Sequence, residues 1–296
     1  MADVVLLDGG MGQELVHRAG DQPTPLWSTQ VMLDRPELVA EVHRDYFAAG
    51  ATVATTNTYA VHRDRLKGSG HSREFEDLHA AALQIATDAR AAHGSGRIAG
   101  AIGPLIASYR PDIHPAFADA VPLYAEIAGL IGPSCDFIIC ETVVSLDHAR
   151  AILEGAKAAG KPVWLAISVD DRDGTKLRSG EDVADVLALT GDAQAILVNC
   201  SAPEVINDAL AILAKGDLPF GAYANGFEKI TNDFLNDKPT VDALNARRDL
   251  SPKAYAQYAL SWVAQGATIV GGCCEVGPGH IAELAQSLTK AGHRII

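Results

Sequence analysis

The sequence predicts a single (β/α)8 barrel, and three observations carry that prediction. Eight short runs rich in Val, Ile, Thr and Ala recur along the chain, stretches of helical period separate most of them, and glycines stand where those helices should stop. The runs are Val4–Asp8, Ala51–Thr58, Arg97–Gly103, Phe137–Glu141, Val163–Val169, Ala195–Cys200, Phe220–Asn225 and Ala267–Gly271. Barrels of 296 residues commonly form one unit, so residues 1–296 read as one domain. An open doubly wound sheet is the structural alternative. It would more often carry a glycine fingerprint after the first strand, and Gly9-Gly10-Met11-Gly12 misses the dinucleotide-binding spacing.

The helical stretches follow in order. Pro36–Ala49 sets Leu38, Val42 and Tyr46 on one face, with Asp34 available as a cap and Pro36 in the first turn. Ser72–His93 is Ala-rich, with Phe75, Leu78, Leu83 and Ile85 as its apolar positions. Ala116–Ile131, Ser145–Ala159, Glu181–Thr190, Pro203–Ala214, Ser251–Gln265 and Pro278–Lys290 complete the set. Gly50, Gly94, Gly160 and Gly266 are placed as left-handed caps. Two stretches depart from the repeat. Gly20–Leu33 reads as a polar loop, and Gly226–Leu250 as a long connection that is either a functional lid or a surface excursion.

Composition narrows the function classes. Hydrophobic residues make up 48% and charged residues 21%, the profile of a core-forming chain. A net charge of −13 disfavours nucleic acid and anionic membrane surfaces as partners. No apolar run is long enough to span a bilayer, and the N-terminal residues lack a charged leader with a cleavage site. Five cysteines, an odd number, argue for reduced thiols rather than a disulfide framework and point to the cytoplasm. The sequence leaves open whether identical chains associate.

In such barrels chemistry collects where strands end. Those ends carry Asp8, Thr56-Asn57-Thr58, Glu141, Cys200, Asn225 and Cys273-Cys274. Three thiols at the ends of two distant strands suggest a metal site assembled by the fold. Three thiolates would fill three positions of a tetrahedral zinc and leave the fourth for a substrate. Alternation puts Glu141 inward with Phe137 and Ile139, and it groups Cys200 with Ile196 and Val198, leaving Asn199 on the other face. Two adjacent cysteines cannot both point inward from a regular strand, so Gly271-Gly272 should let the backbone leave strand geometry. Asp8 reads equally as a turn cap, and Cys135 and Cys140 as small buried hydrophobes. A disulfide between Cys273 and Cys274 is a further alternative.

The chain resembles the homocysteine S-methyltransferase family. The resemblance rests on Leu7-Asp-Gly-Gly-Met-Gly-Gln-Glu-Leu15, Pro25-Leu-Trp-Ser28, Asp34-Arg-Pro-Glu-Leu38, Val42-His-Arg-Asp-Tyr46, Thr55-Thr-Asn-Thr-Tyr59, Glu141-Thr142, Val198-Asn-Cys-Ser201 and Gly271-Gly-Cys-Cys274. It implies that Cys200, Cys273 and Cys274 bind Zn2+, that Asp8 and Glu141 hold the ammonium of homocysteine, and that the backbone near Gly9 with Thr56 receives its carboxylate. Asn225 matches a family Asn, with a turn role as the alternative. The implied reaction moves a methyl group from a sulfonium or quaternary ammonium donor to the homocysteine thiol, giving methionine. In length the chain is similar to the S-methylmethionine-dependent members. The alternatives are a zinc- or thiol-binding barrel without methyl transfer, and a different thiol or selenol acceptor. Trp27 is a candidate for contact with the donor cation. After the cysteine pair the chain departs from the family pattern with Glu275-Val-Gly-Pro278, a carboxylate that bears on which donor is used.

Overall fold

The computed structural model describes residues 1–20, 24–228, 230 and 244–296. Among the described residues nine strands form one sheet: β1 (Asp3–Leu6), β2 (Val53–Thr55), β3 (Arg97–Ile102), β4 (Phe137–Val143), β5 (Val163–Ile167), β6 (Ala195–Asn199), β7 (Phe220–Tyr223), β8 (Ile269–Val270) and β9 (Arg294–Ile295). Their order is β2-β3-β4-β5-β6-β7-β8-β1-β9, and every neighbouring pair is parallel. The sheet is curled. Beyond the ladder, the amide of Thr52, just before β2, donates to the carbonyl of Leu6 in β1 at 2.8 Å.

Eleven α-helices are seen among the described residues. Those expected from periodicity are α3 (Pro36–Ala48), α5 (Phe75–His93), α6 (Phe117–Ile131), α7 (Leu146–Ala156), α8 (Val183–Val186), α9 (Pro203–Leu213), α10 (Pro252–Ala264) and α11 (Pro278–Lys290). Three more, α1 (Met11–Arg18), α2 (Ser28–Asp34) and α4 (Arg63–Leu66), occupy connections. The expected loop Gly20–Leu33 therefore contains most of α2, and Asp34 ends that helix instead of capping α3. Pro36 does open α3, where a missing N–H costs nothing. Gly50, Gly94, Gly160 and Gly266 all take positive φ, the left-handed stops the spacing predicts. Of the connection Gly226–Leu250, 229 and 231–243 lie outside the described residues; its two ends pair through Phe227 and Ala246.

Strand alternation divides the core in two. Val5, Leu7, Val53, Ala99, Ala101, Phe137, Ile139, Trp164, Ala166, Leu197, Tyr223 and Ile269 pack inside the curl. Their neighbours Leu6, Ile98, Ile102, Ile138, Cys140, Leu165, Ile196 and Val198 pack outward against the helices. Among the described residues no helix is long and apolar enough to cross a membrane.

Candidate active site

A cavity of about 680 Å³ opens where the strands end in β1, β2, β4, β6, β7 and β8. Asp8, Gly9, Thr56, Glu141, Cys200, Cys273 and Cys274 all line it. Six non-glycine residues among those described have positive φ: Trp27, Ile106, Tyr109, Thr142, Cys200 and Glu275. All but Glu275 line the cavity. Each such residue costs on the order of 1–3 kcal/mol, strain that persists only where the surroundings hold it. It is concentrated at this one place.

The three sulfurs of Cys200, Cys273 and Cys274 lie within 4.8 Å of one another. Cys200 follows β6 directly, and here simple alternation fails. Ile196 and Val198 face the helices, while Asn199 lies on the cavity side. Cys200 reaches the cavity because its φ of 47° turns the chain out of strand geometry. The chain leaves strand geometry at Gly271-Gly272, as expected, since β8 ends at Val270, but close approach rather than a left-handed turn requires the glycines. Neither has positive φ, but a Cβ on Gly272 would meet the Val276 side chain at 2.2 Å, and one on Gly271 would meet Leu7 Cβ at 2.5 Å. They permit close approach of β8 to β1, after which the amides of Gly272 and Cys273 bond to the carbonyls of Asp8 and Ala224.

Cys200 and Cys273 are joined by a disulfide, so the expectation of five reduced thiols does not hold. Nor is the adjacent Cys273–Cys274 pair the one that bonds. Sulfurs directed at one point come within bonding reach of each other, whatever their separation in sequence. The disulfide is the oxidised form of two members of the cluster. Once reduced, the three sulfurs make a soft donor set that suits zinc, whose tetrahedral thiolates stand roughly 3.7 Å apart for 2.3 Å bonds. The cluster fits such an ion. Burial pushes the Cys274 thiol up to about 12, so a nearby cation is needed to hold it as thiolate at neutral pH.

Two carboxyls share the cavity with the sulfurs. Asp8 accepts from the Thr55 amide at 2.6 Å and the Thr55 hydroxyl at 2.7 Å. Glu141 accepts from the Tyr223 hydroxyl at 2.8 Å. Burial pushes each up to about 7, against those hydrogen bonds, and the Asp8 charge raises Glu141 further. Two buried acids poised near neutrality are chemically suited to a cation, which would draw both into the ionised form. Gly9 brings main chain to this floor, where a Cβ would meet the Val276 carbonyl at 2.0 Å.

Two expected contacts are placed differently. Thr58 donates its hydroxyl to the Ala101 carbonyl, which leaves the Thr56 hydroxyl proton directed at Thr58 Oγ1. The Thr56 amide donates to Ala99, so neither Thr56 donor is available to a carboxylate. Asn225 does not line the cavity; its Oδ1 accepts from the Phe227 amide in a turn, the alternative that the sequence left open. Sequence reasoning missed Thr55, Tyr223 and the Asn199–Thr142 pair, in which Asn199 Oδ1 accepts from the Thr142 amide at 2.9 Å. These are polar partners supplied by distant strands, and only the folded register brings them together.

Trp27, Tyr59 and Tyr109 line the same cavity as the thiols. Trp27 and Tyr59 meet edge to face with centroids 6.0 Å apart. Trp27 Nε1 donates to Gln13 Oε1 at 2.9 Å, and Gln13 Nε2 donates to Glu275 Oε1 at 2.7 Å. His17 lies 3.3 Å from the other Glu275 oxygen. The unusual carboxylate therefore turns away from the cavity and bears on it through Gln13 and Trp27.

Fold and site together define an α/β enzyme that gathers three thiols over a buried anionic floor. The chain belongs to the homocysteine S-methyltransferase family, whose description matches residues 5–288. A homocysteine S-methyltransferase of Escherichia coli (strain K12) is 30% identical over 95% of this chain and 94% of that one. The crystal structure of the homocysteine methyltransferase MmuM from Escherichia coli in its metallated form superposes with a TM-score of 0.80 at 28% identity, covering 96% of both chains. The oxidized form of that enzyme gives a TM-score of 0.79 at 29% identity, covering 96% of both chains. The protein is a methyltransferase.

Proposed function

We propose that the protein transfers a methyl group from a sulfonium or quaternary ammonium donor, with an S-methylmethionine-like sulfonium favoured, to the thiol of homocysteine, giving methionine. The convergence of Cys200, Cys273 and Cys274 within 4.8 Å carries this reading. Reduced, these residues would hold zinc, which lowers the pKa of a fourth, substrate thiol so that it is a thiolate at neutral pH. Asp8 and Glu141 bind the substrate ammonium, and the backbone at Gly9 faces its carboxylate. Trp27, Tyr59 and Tyr109 surround the methyl-bearing cation with aromatic faces and exclude water. The substrate sulfur attacks the methyl carbon in line. One carbon–sulfur bond forms as the methyl–onium bond breaks, and the donor leaves as a neutral thioether or amine. The chain's work is orientation of the two substrates. Residues 1–296 act as one domain, a closed (β/α)8 barrel for which the Thr52–Leu6 backbone bond between β1 and β2 is the support. A cytoplasmic setting would keep the cluster reduced.

The test is a donor screen with reduced, zinc-loaded protein, scored by methionine formation. Methionine from a sulfonium or quaternary ammonium donor, lost together with zinc in Cys200→Ser and Cys273→Ser, is the expected result. Stoichiometric zinc with no methionine from any donor would overturn the reading.

A further inference from the structure

The loop after β5 carries a buried guanidinium that the reaction scheme does not use. The Arg178 side chain is 10% exposed. Its Nε donates to Ser168 Oγ at 2.8 Å, and its Nη1 and Nη2 donate to the two Asp171 oxygens at 3.1 and 2.8 Å. Nη2 also donates to the carbonyl of Cys200 at 3.1 Å. The guanidinium carbon sits 4.7 Å from the centre of the Tyr109 ring. One planar group thus touches the main chain of a cluster cysteine and an aromatic wall of the cavity.

The surroundings make this contact specific. Cys200 and Tyr109 both have positive φ, 47° and 64°, so both need outside support to stay where they are. The Cys200 carbonyl also accepts from Ser168 Oγ at 3.2 Å, and Asp171 Oδ1 accepts from the Ala202 amide at 3.0 Å, at the start of α9. Arg178 and Asp171 therefore grip the turn of Cys200 from both sides. A lysine has the charge but not the planar fork that makes these bonds at once.

We propose that Arg178 is a positioning residue that sets the Cys200 sulfur and the Tyr109 ring in register, coupling the metal half of the cavity to the methyl-donor half. This rests on the zinc-dependent reading given above. Its effect passes through Cys200 and Tyr109, not through substrate.

The test compares Arg178→Met and Arg178→Lys with the unaltered protein, all reduced. Zinc affinity is measured by competition with a chromophoric chelator, and KM for the methyl donor is measured at saturating zinc. Both variants should bind zinc about 10- to 100-fold more weakly, the usual consequence of losing a partner behind a metal ligand, and both should raise the donor KM. Lysine should not rescue either property. If Arg178→Met fails to fold, Arg178→Lys decides alone. Zinc affinity within about twofold of the unaltered protein, full rescue by lysine, or a lowered melting temperature with either readout unchanged would overturn the proposal. Failure of the unaltered protein to bind zinc would instead bring down the parent reading and this one with it.

Discussion

Two groups of cysteines in this chain have different fates. Cys140 lies within β4, where alternation turns it toward the helices, and Cys135 lies just before that strand. Burial pushes the Cys135 thiol up to about 12 and the Cys140 thiol higher still. Cys200, Cys273 and Cys274 come after the last residues of β6 and β8. Exposure separates the groups only in part, since Cys200 is 4% exposed beside 3% for Cys135, while Cys273 and Cys274 are half-buried. What separates them is where the strand stops. Cys140, inside the ladder, is committed to one face, whereas Cys200, just past it, is turned to the cavity by a single unusual φ.

The sharpest way to break this contrast is to exchange the two groups. Cys200→Ser or Cys273→Ser should remove stoichiometric zinc and lower kcat/KM by about 1,000-fold or more, equivalent to about 4 kcal/mol. Cys140→Ala should leave metal content and turnover intact and reduce stability by about 1–2 kcal/mol in urea unfolding. Comparable zinc loss in both would remove the distinction.

A second substitution separates the anionic floor from the thiols. Glu141→Gln keeps the shape but not the charge facing the substrate ammonium. It should raise KM for homocysteine by roughly 30- to 100-fold, about 2–3 kcal/mol, with zinc content unchanged. Metal analysis beside steady-state kinetics reads both.

The helix-facing side should announce itself through acid sensitivity. His43 is fully buried, its two ring nitrogens have no partner among the described residues, and burial pushes it down to about 4. Burial likewise pushes His62 down to about 3 and lowers His79 and His148. A histidine lowered on folding contributes stability that is complete above its ordinary value of 6.5 and is lost as pH falls toward the folded value. The unfolding free energy from urea titrations should therefore drop between pH 6.5 and about 4, by on the order of 1–3 kcal/mol per group. His43→Leu should blunt that drop without touching the thiol cluster.

The smallest expected effect lies on the donor wall. Gln13→Leu cuts the tie between Trp27 and Glu275 and should raise the donor KM by roughly three- to tenfold, about 1 kcal/mol, while KM for homocysteine stays put. Equal changes in both would mean that the tie stabilises the whole cavity and not one half of it.

The barrel-like order of elements was legible because it is written in periodicity and in glycine stops, both local properties. Eight strands fall where the apolar runs lie, and an expected helix follows each of them, although the one after β5 is only Val183–Val186 before it tightens to a 3-10 turn. The short helices α1, α2 and α4 were not legible, since a few residues in a connection carry too little period. At the site, Asp8, Glu141 and the three cysteines were legible as residue types at strand ends. Asn199 was assigned to the wrong face because alternation was extended one residue too far, past the point where Cys200 leaves the ladder. Tyr223 and Arg178 carry no local signal, and Thr55 is legible only as part of a matching stretch, not as the partner of Asp8. Their roles arise from pairings between residues 47, 82 and 22 apart in the chain.

The central claim is that the three cysteines hold a zinc ion with one position open to the substrate thiol. Zinc-edge X-ray absorption on reduced, zinc-loaded protein, with and without homocysteine, tests it most directly. The account predicts three sulfur neighbours at roughly 2.3 Å without substrate and four with it. A sulfur count that stays unchanged when homocysteine is added would contradict it.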